Sequence, residues 1–143
     1  MMDLKINKYD LVFHHLGLAT KKPDMASNFL HGLGYSVDEA VSDPLQKVSL
    51  IWCKHQIMPD VEIIYKNLEL EDSPLDGIFI NRSELFYHIC YETTDLNQSI
   101  ELMKKDNRLI CISPAKEAIL FEFRKVSFYI VRGFGLIEIL EDF

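Results

Sequence analysis

The sequence is poor in positive charge, in long apolar runs and in cysteine. Lys and Arg account for 15 of its 143 residues against 22 Asp and Glu, which gives a net charge of −7. Nucleic-acid binding draws much of its affinity from phosphate neutralisation, and the scattered cations of this chain do not suit it. No apolar run approaches the roughly 20 residues of a membrane span, and residues 1–8 lack the apolar centre of a signal peptide. We therefore expect no nucleic-acid partner and no membrane association.

The cysteines are three, an odd number, and they are widely spaced at Cys53, Cys90 and Cys111. The sequence contains no CxxC pair, so its cysteines do not indicate a metal or redox site. Each cysteine lies in an apolar run, so we expect three buried free thiols in a cytoplasmic protein.

The most informative feature is an internal repeat. The segment His15-Leu16-Gly17-Leu18-Ala19-Thr20 has a counterpart 73 residues later in His88-Ile89-Cys90-Tyr91-Glu92-Thr93. Each half then carries an amphipathic stretch, a Val-Ser pair (48–49 and 126–127) and a closing apolar run with one acid inside it, at Glu62 and Glu138. The repeat places one His and one Glu at matching positions in each half.

Apolar periodicity and turn residues predict the same order of elements in both halves. The first half reads as strand 11–19, helix Pro23–Leu33 and strands Tyr35–Val41, Val48–Cys53 and Val61–Tyr65. The second half reads as strand Leu85–Thr93, a helix Leu96–Lys105 capped by Asp95 or Thr94, and strands Arg108–Ile112, Leu120–Val131 and Leu136–Leu140. Within the first strand, Gly17 suggests a close approach of the backbone to another group.

These elements predict an α+β fold of two tandem βαβββ modules in a single domain over 1–143. We expect modules at 11–66 and 85–143, a turn-rich linker at 67–84, and one curved eight-stranded mixed sheet. A half of about 70 residues buries too little surface to be stable alone, so the halves should share a core. The helices would cover the outer face and leave the concave face for a ligand or metal.

The repeated residues predict a metal site on that concave face. A carboxylate in an apolar strand is costly when it is buried without a partner, and His opens the first strand of both halves while Glu lies in the last. We expect His15, Glu62, His88 and Glu138 to bind one divalent ion, for which Zn, Ni, Co, Mn and Fe all suit this donor set.

These repeated segments resemble sequences of the vicinal oxygen chelate superfamily, whose members are metalloenzymes built from paired βαβββ modules. Within the superfamily, the resemblance is greatest to methylmalonyl-CoA epimerase. The resemblance runs from His14 onward and rests on the two His-containing segments, the strands around Glu62 and Glu138, and Lys125-Val126-Ser127-Phe128. It places His15, rather than the adjacent His14, on the ligand position. It also implies that one metal-bound carboxylate is the catalytic base, with Glu138 the first choice and Glu62 the second, and that the chain forms a homodimer.

The resemblance implies a divalent-metal-dependent isomerase or epimerase that removes a proton next to a carbonyl or thioester of a small-molecule substrate. The alternatives are a glyoxalase I-type lactoylglutathione lyase and a metal-free small-molecule-binding protein like the bleomycin-resistance proteins. One segment, 114–124, departs from the family's Gly-rich pattern. We expect Phe121, Phe123 and Arg124 to fill space that glycine would leave open. This expectation weighs against coenzyme A as part of the substrate.

Other charged or polar residues are weaker candidates for substrate binding. Arg124 and Lys125 could receive an anionic group, and Gln46 and Lys47 could lie at the mouth of the cavity.

Overall fold

The computed structural model describes residues 7–66 and 73–142. The expectations for residues 1–6 and for the start of the linker, 67–72, fall outside this range. The described elements are β1 (Val12–Thr20), α1 (Pro23–Gly32), β2 (Ser36–Val37), β3 (Val41–Asp43), β4 (Val48–Lys54), β5 (Val61–Lys66), β6 (Glu84–Thr93), α2 (Leu96–Lys104), β7 (Leu109–Glu117), β8 (Lys125–Val131) and β9 (Gly135–Glu141). A 3-10 turn spans Ile119–Phe121. No helix among these residues has the length and apolar character needed to span a membrane.

The strands form one mixed sheet with the order β2-β4-β5-β1-β6-β9-β8-β7, and β3 pairs with β4 beside β2. The first strands of the two modules, β1 and β6, are antiparallel neighbours at the centre. Each pairs in parallel with the last strand of its own module, β1 with β5 and β6 with β9. The predicted α+β class and the paired modules are thus confirmed, and the order of strands is the same outward from the centre on both sides.

The two helices begin where local chemistry predicts. Pro23 starts α1, where its fixed φ and missing N–H are tolerated, and the Asp95 side chain accepts a hydrogen bond from the Gln98 amide at 3.1 Å to cap α2. Leu30 of α1 and Met103 of α2 are buried in separate apolar clusters against the sheet. The helices therefore cover one face of the sheet.

The described sheet has nine strands rather than eight, because the predicted strand Tyr35–Val41 is divided in two. Between the pairs Val37↔Cys53 and Val41↔Leu50, the chain advances four residues while β4 advances three. The extra residue interrupts the ladder, as a β-bulge does.

The prediction was also wrong on both sides of residue 118. The strand predicted to end at Ser113-Pro114 continues to Glu117, because β7 is the edge of the sheet and an edge strand tolerates a missing N–H. The strand predicted from Leu120 begins only at Lys125. Residues 118–124 are the loop that joins β7 to β8, closed by a hydrogen bond of 3.0 Å from the Ala118 amide to the Arg124 carbonyl.

Candidate metal centre and cavity

The four predicted ligands lie on the four central strands of the sheet and are related by its internal symmetry. Glu62 and His88 flank Gly17, which pairs with both of them across β5, β1 and β6. His15 and Glu138 flank Cys90 in the same way across β1, β6 and β9. Each residue thus contributes its side chain beside a small residue of the neighbouring strand.

The four side chains converge on one buried point. One ligand atom from each, a ring nitrogen or a carboxylate oxygen, lies within 4.8 Å of the other three. The Oε1 atom of Glu138 is 3.2 Å from the Nε2 atoms of both His15 and His88, and Oε1 of Glu62 is 3.8 Å from Nε2 of His15. None of the four residues is more than 3% exposed. Metal binding by these four residues remains a prediction, and their convergence is the placement that this prediction requires.

The donor atoms fit a divalent ion better than they fit one another. Nε2 of His15, Nε2 of His88 and Oε1 of Glu138 are buried and have no hydrogen-bond partner among the described residues, since their short contacts are not aligned as hydrogen bonds. Buried polar atoms are nearly always paired, so three unpaired ones aimed at the same point need an explanation. A cation would satisfy all of them, and two imidazoles with two carboxylates suit a divalent transition metal.

Gly17 makes room for one of these rings. A Cβ atom at this position would lie 2.2 Å from Cε1 of His88 and 2.5 Å from its Nδ1. Any side chain at residue 17 would therefore displace the imidazole, which confirms the close approach expected from the sequence. Cys90, at the matching position of the second module, is fully buried between His15 and Glu138.

Each central strand has a β-bulge beside its histidine. The register shifts between Phe13 and His15 on β1, and the other shift in the β1–β6 ladder falls at Tyr87 on β6. As a result, two consecutive side chains of each strand, His14-His15 and Tyr87-His88, contact the same site. Nδ1 of His14 lies 2.8 Å from Nδ1 of His15 in a hydrogen bond, which leaves Nε2 of His15 for the site.

Aromatic side chains enclose one side of the quartet. The Phe121 ring lies 5.5 Å from the rings of both His14 and His15, and the Trp52 ring lies 5.0 Å from His15. Phe121 thus fills space over the site, as predicted for the 114–124 segment. Phe123 does not, because its side chain is 58% exposed.

The electrostatics of the metal-free site are those of a buried ion-pair cluster. Burial disfavours a charged imidazole, but the neighbouring Glu138 and Glu62 carboxylates outweigh it and raise the pKa of His15 to about 9. Burial likewise opposes ionisation of Glu138, yet His88 and His15 hold the pKa of its carboxyl well below its usual range. Burial and the adjacent His15 lower the pKa of His14, which favours its neutral form.

A cavity of about 400 Å³ adjoins the quartet and is lined by Glu62. Tyr87 also lines it, and its walls are mostly aliphatic side chains together with Phe128, whose ring is 5.4 Å from His88. Its polar wall residues beyond Glu62 and Tyr87 are Gln46, Ser113 and Lys116. Of the carboxylates in the quartet, Glu62 is the one that lines this cavity.

Of the four weaker candidates for substrate binding, one lines the cavity and three do not. Gln46 lines the cavity and is held by a 2.7 Å hydrogen bond from its side-chain amide to Oδ2 of the buried Asp43. Lys47 and Lys125 are not among the lining residues. Arg124 is bound elsewhere, with its guanidinium 2.8 Å from Glu92 and 3.1 Å from Asp142.

Sequence reasoning missed two residues of the site. His14 was set aside in favour of His15, and only the bulge on β1 brings both to the same face. Lys116 gave no signal, because β7 was expected to end before it. The expectation of three buried thiols was wrong for Cys111, which is exposed.

Comparison with known proteins identifies the family. Residues 14–123 match the family profile of the glyoxalase/bleomycin resistance protein/dioxygenase superfamily. The chain belongs to this superfamily. The matched range includes His15, Glu62 and His88, whereas Glu138 lies beyond it and is brought to the site by the pairing of β9 with β6. No curated protein matches the sequence.

Several solved structures share the fold at low sequence identity. A methylmalonyl-CoA epimerase from Mycobacterium tuberculosis superimposes with a TM-score of 0.73 at 17% identity, over 92% of this chain and 88% of that one. A hypothetical protein from Bacillus halodurans gives 0.74 at 18% identity, over 93% and 95%. A variant methylmalonyl-CoA epimerase from Streptomyces coelicolor, in complex with 2-nitronate-propionyl-CoA, gives 0.66 at 17% identity, over 92% and 98%. At such identities the likeness shows the fold.

Proposed function

We propose that this protein is a divalent-metal-dependent isomerase or epimerase that removes a proton from a carbon next to a carbonyl or thioester. The observation that supports this best is the buried quartet of His15, Glu62, His88 and Glu138, whose ligand atoms converge and whose Glu62 lines a cavity. The structural neighbours named as methylmalonyl-CoA epimerases support the same reaction class.

In this proposal the four residues hold one ion, such as Co, Mn, Ni, Zn or Fe. Such an ion acts as a Lewis acid and stabilises the negative charge that develops on a substrate oxygen. The rings of Phe121 and Trp52 pack on His15, and those of Tyr87 and Phe128 pack on His88, so that charges at the site interact in a poorly polarisable environment.

One of the two carboxylates would remove the proton. The resemblance favours Glu138, but Glu62 is the carboxylate that lines the cavity. Glu62 has one imidazole nitrogen within 4.0 Å of its carboxylate, that of His15 at 3.8 Å. Glu138 has two, because its Oε1 lies 3.2 Å from Nε2 of both His15 and His88. A carboxylate that faces the substrate and is less tied to the imidazoles is better placed to accept a proton. The cavity geometry therefore supports Glu62 as the base, and the sequence-based preference for Glu138 remains to be tested against it.

The test is hydrogen exchange at the reacting carbon. The metal-loaded protein in D₂O should introduce deuterium next to the carbonyl of at least one member of a panel containing methylmalonyl-CoA, the methylglyoxal–glutathione hemithioacetal and 4-oxopentanoate. Replacing the base by Gln should slow exchange by about 10²–10⁴-fold. Glu62→Gln and Glu138→Gln are compared with Glu84→Gln, an exposed residue of β6, as the control.

A larger loss in Glu62→Gln would assign the base to Glu62, and a larger loss in Glu138→Gln would assign it to Glu138. Equal exchange in all three variants would contradict a carboxylate base in the quartet. Absence of exchange by wild-type protein loaded with each of several metals would overturn the isomerase and favour a metal-free binding protein.

A glyoxalase I-type lyase is the second candidate, because its reaction would use the same two imidazoles and two carboxylates. Conversion of the hemithioacetal to a thioester, with no exchange on methylmalonyl-CoA, would favour the lyase over the epimerase.

We also propose a homodimer in the cytoplasm. The edge strand β7 and exposed apolar side chains such as Phe29 and Phe86 are surfaces that a partner would cover. Sedimentation of a monomer at micromolar concentration would contradict the dimer.

A further inference from the structure

One cationic side chain, Lys116, lines the cavity that leads to the quartet. The salt bridges formed by cationic side chains of the described residues use Lys8, Lys66 and Arg124, so Lys116 has no carboxylate partner among these residues. Gln46 and Ser113 are the uncharged polar residues that line the cavity with it. Lys116 is exposed and lines the cavity, so its ammonium is available to an anionic ligand.

The backbone of β7 turns Lys116 toward the cavity. Ser113 pairs with Phe128 and Lys116 pairs with Val126, so β7 advances three residues while β8 advances two. In a regular strand, positions 113 and 116 would point to opposite faces, because side chains alternate. The extra residue beside Pro114 forms a β-bulge, and with it Ser113 and Lys116 both line the cavity, together with their partners Phe128 and Val126.

The cavity therefore has a polarity that a ligand would have to match. Glu62 lies on β5 and Lys116 on β7, in opposite halves of the sheet, and aliphatic residues such as Leu50 and Ile64 line the cavity with them. Lys116 supplies a positive charge at an exposed position. A lysine ammonium recognises a carboxylate or a phosphoryl group as a point charge.

We propose that Lys116 is the specificity-determining residue that binds an anionic group of the substrate, a carboxylate or phosphoryl group separated from the reacting carbonyl by an apolar segment. This inference rests on the proposed function for the identity of the reacting end. The other cations near the second module do not compete for this role, because Arg124 is paired with Glu92 and Asp142 and Lys125 does not line the cavity.

The experiment compares three probes that share a ketone and differ in charge: 4-oxopentanoate, its methyl ester and 3-oxobutylphosphonate. Binding to the metal-loaded protein is measured by calorimetry, and deuterium exchange next to the ketone is measured separately. The variants are Lys116→Met, which removes the charge, and Lys116→Arg, which keeps it. Lys125→Met is the matched control, since it removes an exposed ammonium from the neighbouring strand without altering the cavity lining.

We expect Lys116→Met to weaken binding of the anionic probes by roughly ten-fold, as for a charge-assisted hydrogen bond at a solvent-exposed position. Binding of the methyl ester should not change, Lys116→Arg should stay within about three-fold of wild type, and Lys125→Met should match wild type. Preference for 4-oxopentanoate or for 3-oxobutylphosphonate would identify the anion as carboxylate or phosphoryl.

Three results would overturn the proposal: an equal loss for acid and ester in Lys116→Met, the same loss in Lys125→Met, or no binding of either anion by the wild type. Its failure is distinguishable from failure of the proposed function. Exchange on the probes together with anion binding that is unchanged in Lys116→Met would refute the anion site alone, and Lys116-dependent binding without exchange on any probe would refute the isomerase alone.

Discussion

Gly17→Ala is the smallest change that should disable the site. The backbone of Gly17 lies outside the left-handed region, so the substitution acts through contact rather than through backbone strain. The added Cβ would lie 2.2 Å from Cε1 of His88, and ordinary contact begins near 3.4 Å, so the imidazole has to retreat by about 1 Å. Such overpacking typically destabilises a protein by about 1–3 kcal/mol, or roughly 3–10 °C in Tm for a chain of this size.

The effect on metal binding should be larger than the effect on stability. Altering a group that orients a metal ligand typically lowers affinity by about 10–100-fold, and here the ligand itself is displaced. The assay is competition with a chelator for Zn²⁺ or Mn²⁺, with thermal unfolding of the metal-free protein in parallel. Gly32→Ala is the control, because its Cβ would meet no described atom within 4 Å. Wild-type metal affinity in Gly17→Ala would refute the assignment of His88 as a ligand.

Three further predictions concern the surroundings of the quartet. His14→Phe should lower metal affinity by about 10–100-fold, since it removes the hydrogen bond that orients His15; unchanged affinity would show that the bond is not needed. The pKa of His15 is about 9 in the metal-free site, so metal binding at pH 7.5 should release about one proton and affinity should rise with pH toward 9; calorimetry in buffers of different ionisation enthalpy measures this, and the absence of released protons would contradict it. A thiol reagent should modify the exposed Cys111 first, because Cys53 and Cys90 are buried and burial raises their pKa values; rapid labelling of Cys111→Ser would contradict it.

The internal repeat is the reason that the fold and the quartet could be predicted from the sequence. Strand alternation and position within each module are enough to place a His of the first strand beside a Glu of the last, once the modules are assumed to pair. Gly17 could be read as a close-approach position, although the sequence did not show that the group above it is His88. These features depend on regular secondary structure, for which the pattern of side chains carries the information.

The features that sequence reasoning missed depend on bulges. One extra residue in β1 turns His14 toward the site, and one in β7 does the same for Lys116, but neither insertion changes the apolar pattern in a recognisable way. The predicted strand Leu120–Val131 began too early, because Glu122 and Phe123 adopt φ of 56° and 66°, which no strand allows. Phe121, in the same loop, packs against His14 and His15, and a local pattern cannot reveal such a long-range contact.

The central claim is that His15, Glu62, His88 and Glu138 form one metal site. Its most direct test is an anomalous difference map at the metal absorption edge, from crystals of the protein grown with one equivalent of Co²⁺ or Zn²⁺. We expect a single strong peak with a ligand atom of each of the four residues about 2.0–2.3 Å away. A peak elsewhere in the molecule, or a fully occupied ion from which any of the four side chains turns away, would contradict it.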